Sequence, residues 1–489
     1  MKQALFIGLT LLFIHSKGQN KGNSSDGNIS VTKHQLKINN QVINYTATAG
    51  YMPIKDESDS LRAKLFFVAY TKDGEAEPGK RPILFAYNGG PGSASLWLHM
   101  GALGPKRVVM TEKGDAIKPP YQYIDNEYSW LDKTDIVFID PMVTGYTRMA
   151  GKNPQSMFTG YENDLTLVGD FIRLYTTKYE RWSSPKFIGG ESYGTTRSAG
   201  LSGYLQNKYG LYLNGVILIS SIMDFATARP DVGNDRPYPL MLPTFAATAW
   251  YHKKLGSNYP DLKPLLKEVE SFAINEYATA LLKGDALPQD EREKVVNKLS
   301  QYTGLSKTYI NDNNLRFYVG GFNKELLRTE KKTVGRLDGR FTGYDFNEAG
   351  ATYDYDPSYN NTIYGPYAMA ANDYIRRFLK YENDLVYEVL TGRPQPWPLA
   401  QDKYLNVAET LRDAMTKNPH LKVWIANGFY DMATPYFATQ NTVDHMFLKK
   451  DIRANLTMTY YEAGHMMYIH QPSLQQLKKD FERFMSEAN

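Results

Sequence analysis

Gly190-Glu191-Ser192-Tyr193-Gly194 sets a serine between two glycines at the spacing G-x-S-x-G. A short apolar strand candidate, Lys186-Phe187-Ile188, runs into it, and a small-residue helix candidate (Ser198, Ala199, Gly200, Ser202, Gly203) follows. Two glycines permit a sharp strand-to-helix turn that lifts a serine hydroxyl out of a sheet, and the helix N-terminus favours developing negative charge there. Alone the pattern is weak, because glycine and serine are common and a Gly/Ser turn before a helix arises by chance. The strand before it and the helix after it supply the required context. The chemistry this predicts is nucleophilic attack by Ser192 on a carbonyl carbon.

An attacking serine needs a base, and the base needs a carboxylate to orient it. On a sheet with such a turn the partners follow in the order Ser, Asp, His, each on a loop after a strand. Asp431, in Asn427-Gly428-Phe429-Tyr430-Asp431, comes directly after the strand candidate 421–426. His465, in Ala463-Gly464-His465-Met466, comes just after the strand-like run 456–461. Of the eight histidines only His465 and His470 lie near this C-terminal position, and His470 stands before Gln471-Pro472, a setting that suits an ordinary turn residue. Ser192, Asp431 and His465 are therefore the expected triad. The tetrahedral oxyanion also needs amide donors. One is expected from Tyr193, the residue after the nucleophile, and the other from the loop Asn88-Gly89-Gly90-Pro91-Gly92, with Gly90 as the donor. The competing reading of that loop is phosphate binding, which the lack of a following Gly-Lys-Ser/Thr disfavours.

Positioning such groups requires an alternation of strands and helices. Residues 34–38 and 42–46 alternate around Asn39-Asn40, a hairpin signal. Runs at 63–71, 82–87, 135–140 and 215–220 read as further strands, and a helical period covers 161–175. Strands alternating with helices predict a mostly parallel sheet covered on both faces, an α/β fold of the α/β-hydrolase kind. Beyond Arg229-Pro230 the chain becomes more charged and mainly helical to about Tyr374; one stripe is Leu265, Leu266, Val269, Phe272, Ala273 and Tyr277, which Gly284 can close. The expected division is a core at 31–228, a helical cap insertion at 229–375 and the rest of the core at 376–489, ending in a helix at 473–485.

The 489 residues are 42% hydrophobic and 22% charged, as in an ordinary globular protein with a substantial core. The net charge of +4 is mild, and no basic block forms a nucleic-acid footprint. Met1-Lys2-Gln3, the apolar run 4–14, and Ser16 and Gly18 read as an export signal over 1–18, cleaved before Gln19 and followed by a flexible segment at 19–30. That apolar run is shorter than the roughly 20 residues a membrane span needs, so no stable membrane anchor is expected. Cysteine is absent, which removes disulfides, a thiol nucleophile and thiolate zinc sites. Export without cysteine points to a bacterial protein of the periplasm or beyond.

Several stretches together resemble the serine carboxypeptidase family. These are Asn88-Gly89-Gly90-Pro91-Gly92-Ser93, Phe138-Ile139-Asp140-Pro141 with Gly145-Tyr146, the run Gly190 to Gly194, the spacing from Gly428 to Asp431, and Gly464-His465-Met466. The resemblance implies that Gly90 and Tyr193 form the oxyanion hole, and that Asn88, Gly89 and Glu191 bind the free C-terminal carboxylate of a peptide. It implies no cofactor and no metal. The family adds a second glutamate at a position that falls on Ala102 here, and its eukaryotic members carry disulfides, so a bacterial branch is expected. Two rivals remain: an esterase or acyltransferase with the same triad, and a binding protein on an inactive scaffold. The oligomeric state is unknown.

Overall fold

A computed structural model of the chain describes residues 28–151 and 154–488. The expected export signal lies outside the described residues, as does the segment 19–30 except for its last three residues. Two of these, Ile29 and Ser30, already pair in a strand, so the sheet begins slightly before the expected boundary at 31.

The central sheet follows the path β1-β2-β3-β5-β4-β6-β7-β8-β9. Its strands are β1 (Ile29–Ile38), β2 (Gln41–Lys55), β3 (Leu61–Lys72), β4 (Ile83–Tyr87), β5 (Asp135–Ile139), β6 (Lys186–Ser192), β7 (Gly215–Ser221), β8 (Lys422–Gly428) and β9 (Leu456–Tyr461). A two-residue strand, Arg148–Met149, adds to β3. The first three strands are antiparallel and β3 meets β5 antiparallel, while the pairings from β5 through β9 are all parallel. Asn39 and Asn40, at φ 47° and 64°, make the two-residue turn of the first hairpin. β4, β5 and β7 are buried along their whole length, which is why they read as continuous apolar runs rather than alternations.

Helices cover both faces. α1 (Tyr161–Lys178), α2 (Tyr193–Tyr209) and, later in the chain, the helix at Ala408–Lys417 pack on one face through Leu165, Phe171, Leu201, Leu205 and Leu411. The helices at Tyr364–Asp373 and Gln471–Ala488 pack on the other, where Trp130 stacks on Phe481 at 3.8 Å. Between Ser221 and Lys422 the chain leaves the central sheet. This excursion holds α3 (Pro237–Tyr251), α4 (Leu262–Phe272) and α5 (Gln289–Thr303), and one small hairpin, Thr333–Val334 with Thr342–Gly343. The stripe read from the sequence is buried here, and its helix continues past α4 through a widened turn to Lys283 before Gly284 ends it. These helices share one core with Phe429, Tyr430, Met432, Tyr436 and Phe437, so the excursion is packed onto the segment that follows β8.

Residues 379–407, expected as part of an ordinary core, form no helix or regular strand among the described residues. They run as a strap across the core, with Leu390 bridged to Ser93, Glu388 to Gly145, and Asn406 to Asp224.

Strand order reverses at β4, whose neighbours are β5 on one side and β6 on the other. In open parallel sheets the crevice at such a reversal, beyond the carboxyl ends of the strands, is where ligands bind. β4 ends at Tyr87, paired with Gly190 of β6, so the loop starting at Asn88 and the turn carrying Ser192 emerge side by side.

Candidate active site

Ser192 ends β6 and precedes α2 with φ 60° and ψ −129°, a backbone conformation that an L residue holds only when its surroundings impose it. The flanking glycines allow it: a Cβ on Gly190 would stand 2.1 Å from the Gly194 carbonyl oxygen. Beneath the turn Arg197 is buried on α2. Its Nε donates to Asp164 Oδ2 at 2.7 Å and its Nη1 to the Asn88 carbonyl at 2.8 Å, while the guanidinium faces the rings of Tyr87 and Tyr193 at 5.0 and 5.4 Å. One side chain thus ties α1, α2 and the glycine-rich loop together. The strap adds a second tie through Trp397 Nε1, which donates to the Tyr193 hydroxyl at 3.0 Å.

Asp431 follows β8 and is fully buried. Its Oδ1 accepts from the amides of Ala433 and Thr434 at 2.8 and 3.0 Å; its Oδ2 accepts from the Thr434 hydroxyl at 2.6 Å and lies 2.8 Å from His465 Nδ1. Four partners hold the carboxylate in one orientation. His465 is fixed through its backbone as well, its N–H donating to the Leu337 carbonyl at 2.7 Å and its own carbonyl accepting from Ser220 Oγ at 2.6 Å. Burial pulls the imidazole pKa down, but the Asp431 carboxylate, by charge and hydrogen bond, and Glu191 outweigh it, and the net shift is upward. With Nδ1–H committed to Asp431, Nε2 is the ring atom left to take a proton.

Asn88, Gly89, Gly90, Glu191, Ser192 and His465 all line one cavity of about 350 Å3. Gly90, Ser192 and Tyr193 line a second one of about 360 Å3. A Cβ on Gly89 would stand 2.4 Å from the Tyr193 nitrogen, so only glycine lets the loop approach the turn this closely. All eight sequence-predicted residues are therefore gathered beyond the ends of β4, β6, β8 and β9, Asp431 through its contact with His465. His470 is set apart from them: its Nδ1 lies 2.8 Å from Ser473 Oγ at the start of the final helix.

Glu191 is buried, with Asn88 Nδ2 donating to Oε1 at 3.0 Å and the Tyr468 hydroxyl donating to Oε2 at 2.5 Å. Burial pushes its pKa up to about 7, Asp431 adding to the rise while the His465 charge and the hydrogen bonds from Tyr468 and Asn88 oppose it. Ala102, at the position where the resemblance places a second acid, is itself buried in the turn His99–Leu103, and the second oxygen of Glu191 is served by Tyr468 instead. Tyr468 lies only three residues beyond His465, and that proximity was the one signal that could have marked it. Asp338 carries no such signal. It is bonded by Arg340 and accepts from the Gly464 amide at 2.9 Å, bracing the histidine loop from 126 residues away. Among the described residues no group of three or more acidic or histidine side chains is gathered as a metal ion would need.

The family profile described as serine carboxypeptidase matches residues 37–477. Carboxypeptidase Y of Saccharomyces cerevisiae is 28% identical over 177 residues, covering 34% of this chain and 30% of the yeast protein. Pheromone-processing carboxypeptidase KEX1 of the same yeast is 32% identical over 156 residues, covering 30% of this chain and 20% of that protein. The matched stretches thus span less than a third of these relatives' own length. The crystal structure of a prohormone-processing carboxypeptidase from Saccharomyces cerevisiae superposes with a TM-score of 0.55 at 16% identity, covering 90% of this chain and 91% of that one, a likeness of fold. With the profile covering most of its length, this chain belongs to the serine carboxypeptidase family.

Proposed function

We propose that the chain is a serine carboxypeptidase that removes C-terminal residues from peptides through an acyl-enzyme on Ser192. Ser192 Oγ attacks the scissile carbonyl while His465 Nε2 takes its proton, and Asp431 holds the imidazole in the required tautomer. The amides of Gly90 and Tyr193 receive the oxyanion. His465 then gives its proton to the departing amine, and water hydrolyses the ester by the same route in reverse. Glu191, Asn88 and Gly89 receive the substrate's terminal carboxylate. Residues 229–375 act as a cap over the two cavities, on a core formed by 31–228 and 376–489.

The observation that carries this reading is Glu191, a buried carboxyl lining the cavity of Ser192 and His465 with its pKa raised to about 7. A hydrolase of simple esters has no use for an acid that donates a hydrogen bond beside its nucleophile; an enzyme that binds a free carboxylate does. The alternative, an esterase or acyltransferase, draws its support from Ala102, which supplies no second acid. Comparing a free-acid peptide with its C-terminal amide and with simple esters separates the two, since only the carboxypeptidase prefers the acid. Labelling of Ser192 by a fluorophosphonate tests activity itself, and its failure on folded protein would leave only a binding protein. The finer reading is an exported bacterial enzyme of the periplasm or medium, supported by the N-terminal signal pattern and the absence of cysteine. No helix among the described residues is long and apolar enough to cross a membrane.

A further inference from the structure

Two cavities meet at Ser192, and they differ in chemistry. The first contains His465, Glu191, Asn88 and Gly89; the second contains none of these but includes both proposed oxyanion donors. Because His465 must protonate the departing amine, the leaving residue occupies the first cavity, and the residue that becomes acylated faces the second. The side chain of the substrate's penultimate residue is therefore read by the second cavity.

The charged residues lining that cavity are Arg229 and Arg336, the latter standing between the two cavities and lining both, with no acid among the walls of the second. Neither guanidinium has a carboxylate within ion-pair distance among the described residues. Arg229 instead lies over the Phe225 ring at 4.7 Å, and burial lowers its pKa against a smaller opposing effect of the Tyr318 phenol. Arg336 is held by its backbone: its N–H donates to Asp356 Oδ1 at 3.0 Å and its carbonyl accepts from Met432 N–H at 3.1 Å. Asp356, which lines the first cavity, is occupied by the amides of Arg336, Leu337 and Ser358 and by the Ser358 hydroxyl. The arginines that serve structure are paired differently: Arg197 with Asp164, Arg181 with Asp135, Arg340 with Asp338. Two guanidinium groups without a carboxylate partner, on exposed arginines that line one cavity, offer the forked donors that a carboxylate accepts best.

We infer that the second cavity is an acid-binding subsite, so that the enzyme prefers peptides whose penultimate residue is aspartate or glutamate, with Arg229 and Arg336 receiving that side chain. The inference rests on the carboxypeptidase reading and extends it to the substrate class.

The test uses N-terminally blocked peptides with free C-termini ending in Glu-Leu, Gln-Leu and Lys-Leu, assayed at about pH 6, where a peptide glutamate is ionised. Glutamine matches glutamate in shape, so the ratio of the two kcat/KM values isolates charge. The expected Glu/Gln ratio is about tenfold, the size of a charge-assisted contact partly screened by water, and it shrinks toward 1 M salt. Arg336→Gln lowers the ratio, and Arg229→Glu turns the preference toward Lys-Leu. Each ratio is taken within one protein preparation, so a variant that is less active or partly unfolded still reports it. Equal cleavage of Glu-Leu and Gln-Leu by the wild type, or ratios unchanged in both variants, would overturn the inference alone. If no free-acid peptide is cleaved while Ser192 still takes a fluorophosphonate, the carboxypeptidase reading falls and this subsite falls with it.

Discussion

Replacing Glu191 with glutamine tests the proposed carboxylate site through pH. In the wild type, burial lifts the Glu191 carboxyl from 4.5 to about 7. A peptide's terminal carboxylate is charged throughout that range, and two adjoining carboxylates do not ionise together. Free acids thus bind while Glu191 keeps its proton. At pH 8, one unit above its pKa, about a tenth of the enzyme is competent, and at pH 9 about a hundredth. His465 sets the opposite limb, because it acts as base only when neutral and its pKa is raised by Asp431 and Glu191 against burial. The productive form, with a proton on Glu191 and none on Nε2 of His465, shares its proton count with an ion-pair form, which lowers the height of the bell. Glutamine donates at every pH. Glu191→Gln should therefore abolish the alkaline fall for free acids and, by removing the neighbouring negative charge, move the acid limb to lower pH. Stability gives an independent readout. The native state holds a proton on Glu191 that the unfolded chain releases above about 4.5, so stability contributed below that pH is lost as pH rises through about 7. The 2.5 units amount to about 3 kcal/mol, and the variant should lack that decline in its melting temperature. The assay is kcat/KM against pH for a peptide acid and its amide, in both proteins. An alkaline limb that persists in the variant, or identical acid and amide profiles in the wild type, would refute the reasoning.

Asp431→Asn should lower turnover by about four orders of magnitude by presenting the wrong histidine tautomer; a near-wild-type rate would mean that the orienting carboxylate lies elsewhere. Tyr468→Phe removes the donor that holds down the Glu191 pKa, so the alkaline limb for free-acid peptides should shift to higher pH, and an unmoved limb would detach Tyr468 from Glu191. Arg197→Met leaves Asp164 buried without its cation and should cost about 3–5 kcal/mol in thermal or denaturant unfolding. A loss under about 1 kcal/mol would show that water replaces the guanidinium.

What could be read in advance was what is local. The Ser192 turn, the Asn88 loop and the runs that became β4, β5 and β7 each carry their signal within a few residues. A strand buried on both faces is simply an apolar run. β2 extends well beyond the alternation read at 42–46 because it is held along its length by β1 and β3, partners the window did not include. The strap at 379–407 has no periodicity at all, and its order comes from distant contacts, such as Thr391 N–H donating to the Gly92 carbonyl. Arg229 and Arg336 look like ordinary surface arginines in the sequence. Only the fold brings them, more than a hundred residues apart, to one cavity.

The detour between β7 and β8 also has a bearing on the order of events during synthesis. β7 ends at Ser221 and its parallel partner begins at Lys422. At about 5–20 residues per second, a ribosome needs roughly 10–40 s to deliver the intervening stretch of about 200 residues. Ser192 and the amides of Gly90 and Tyr193 are therefore made long before Asp431 and His465. A nascent chain that has formed the Ser192 turn therefore still lacks the loops that carry Asp431 and His465.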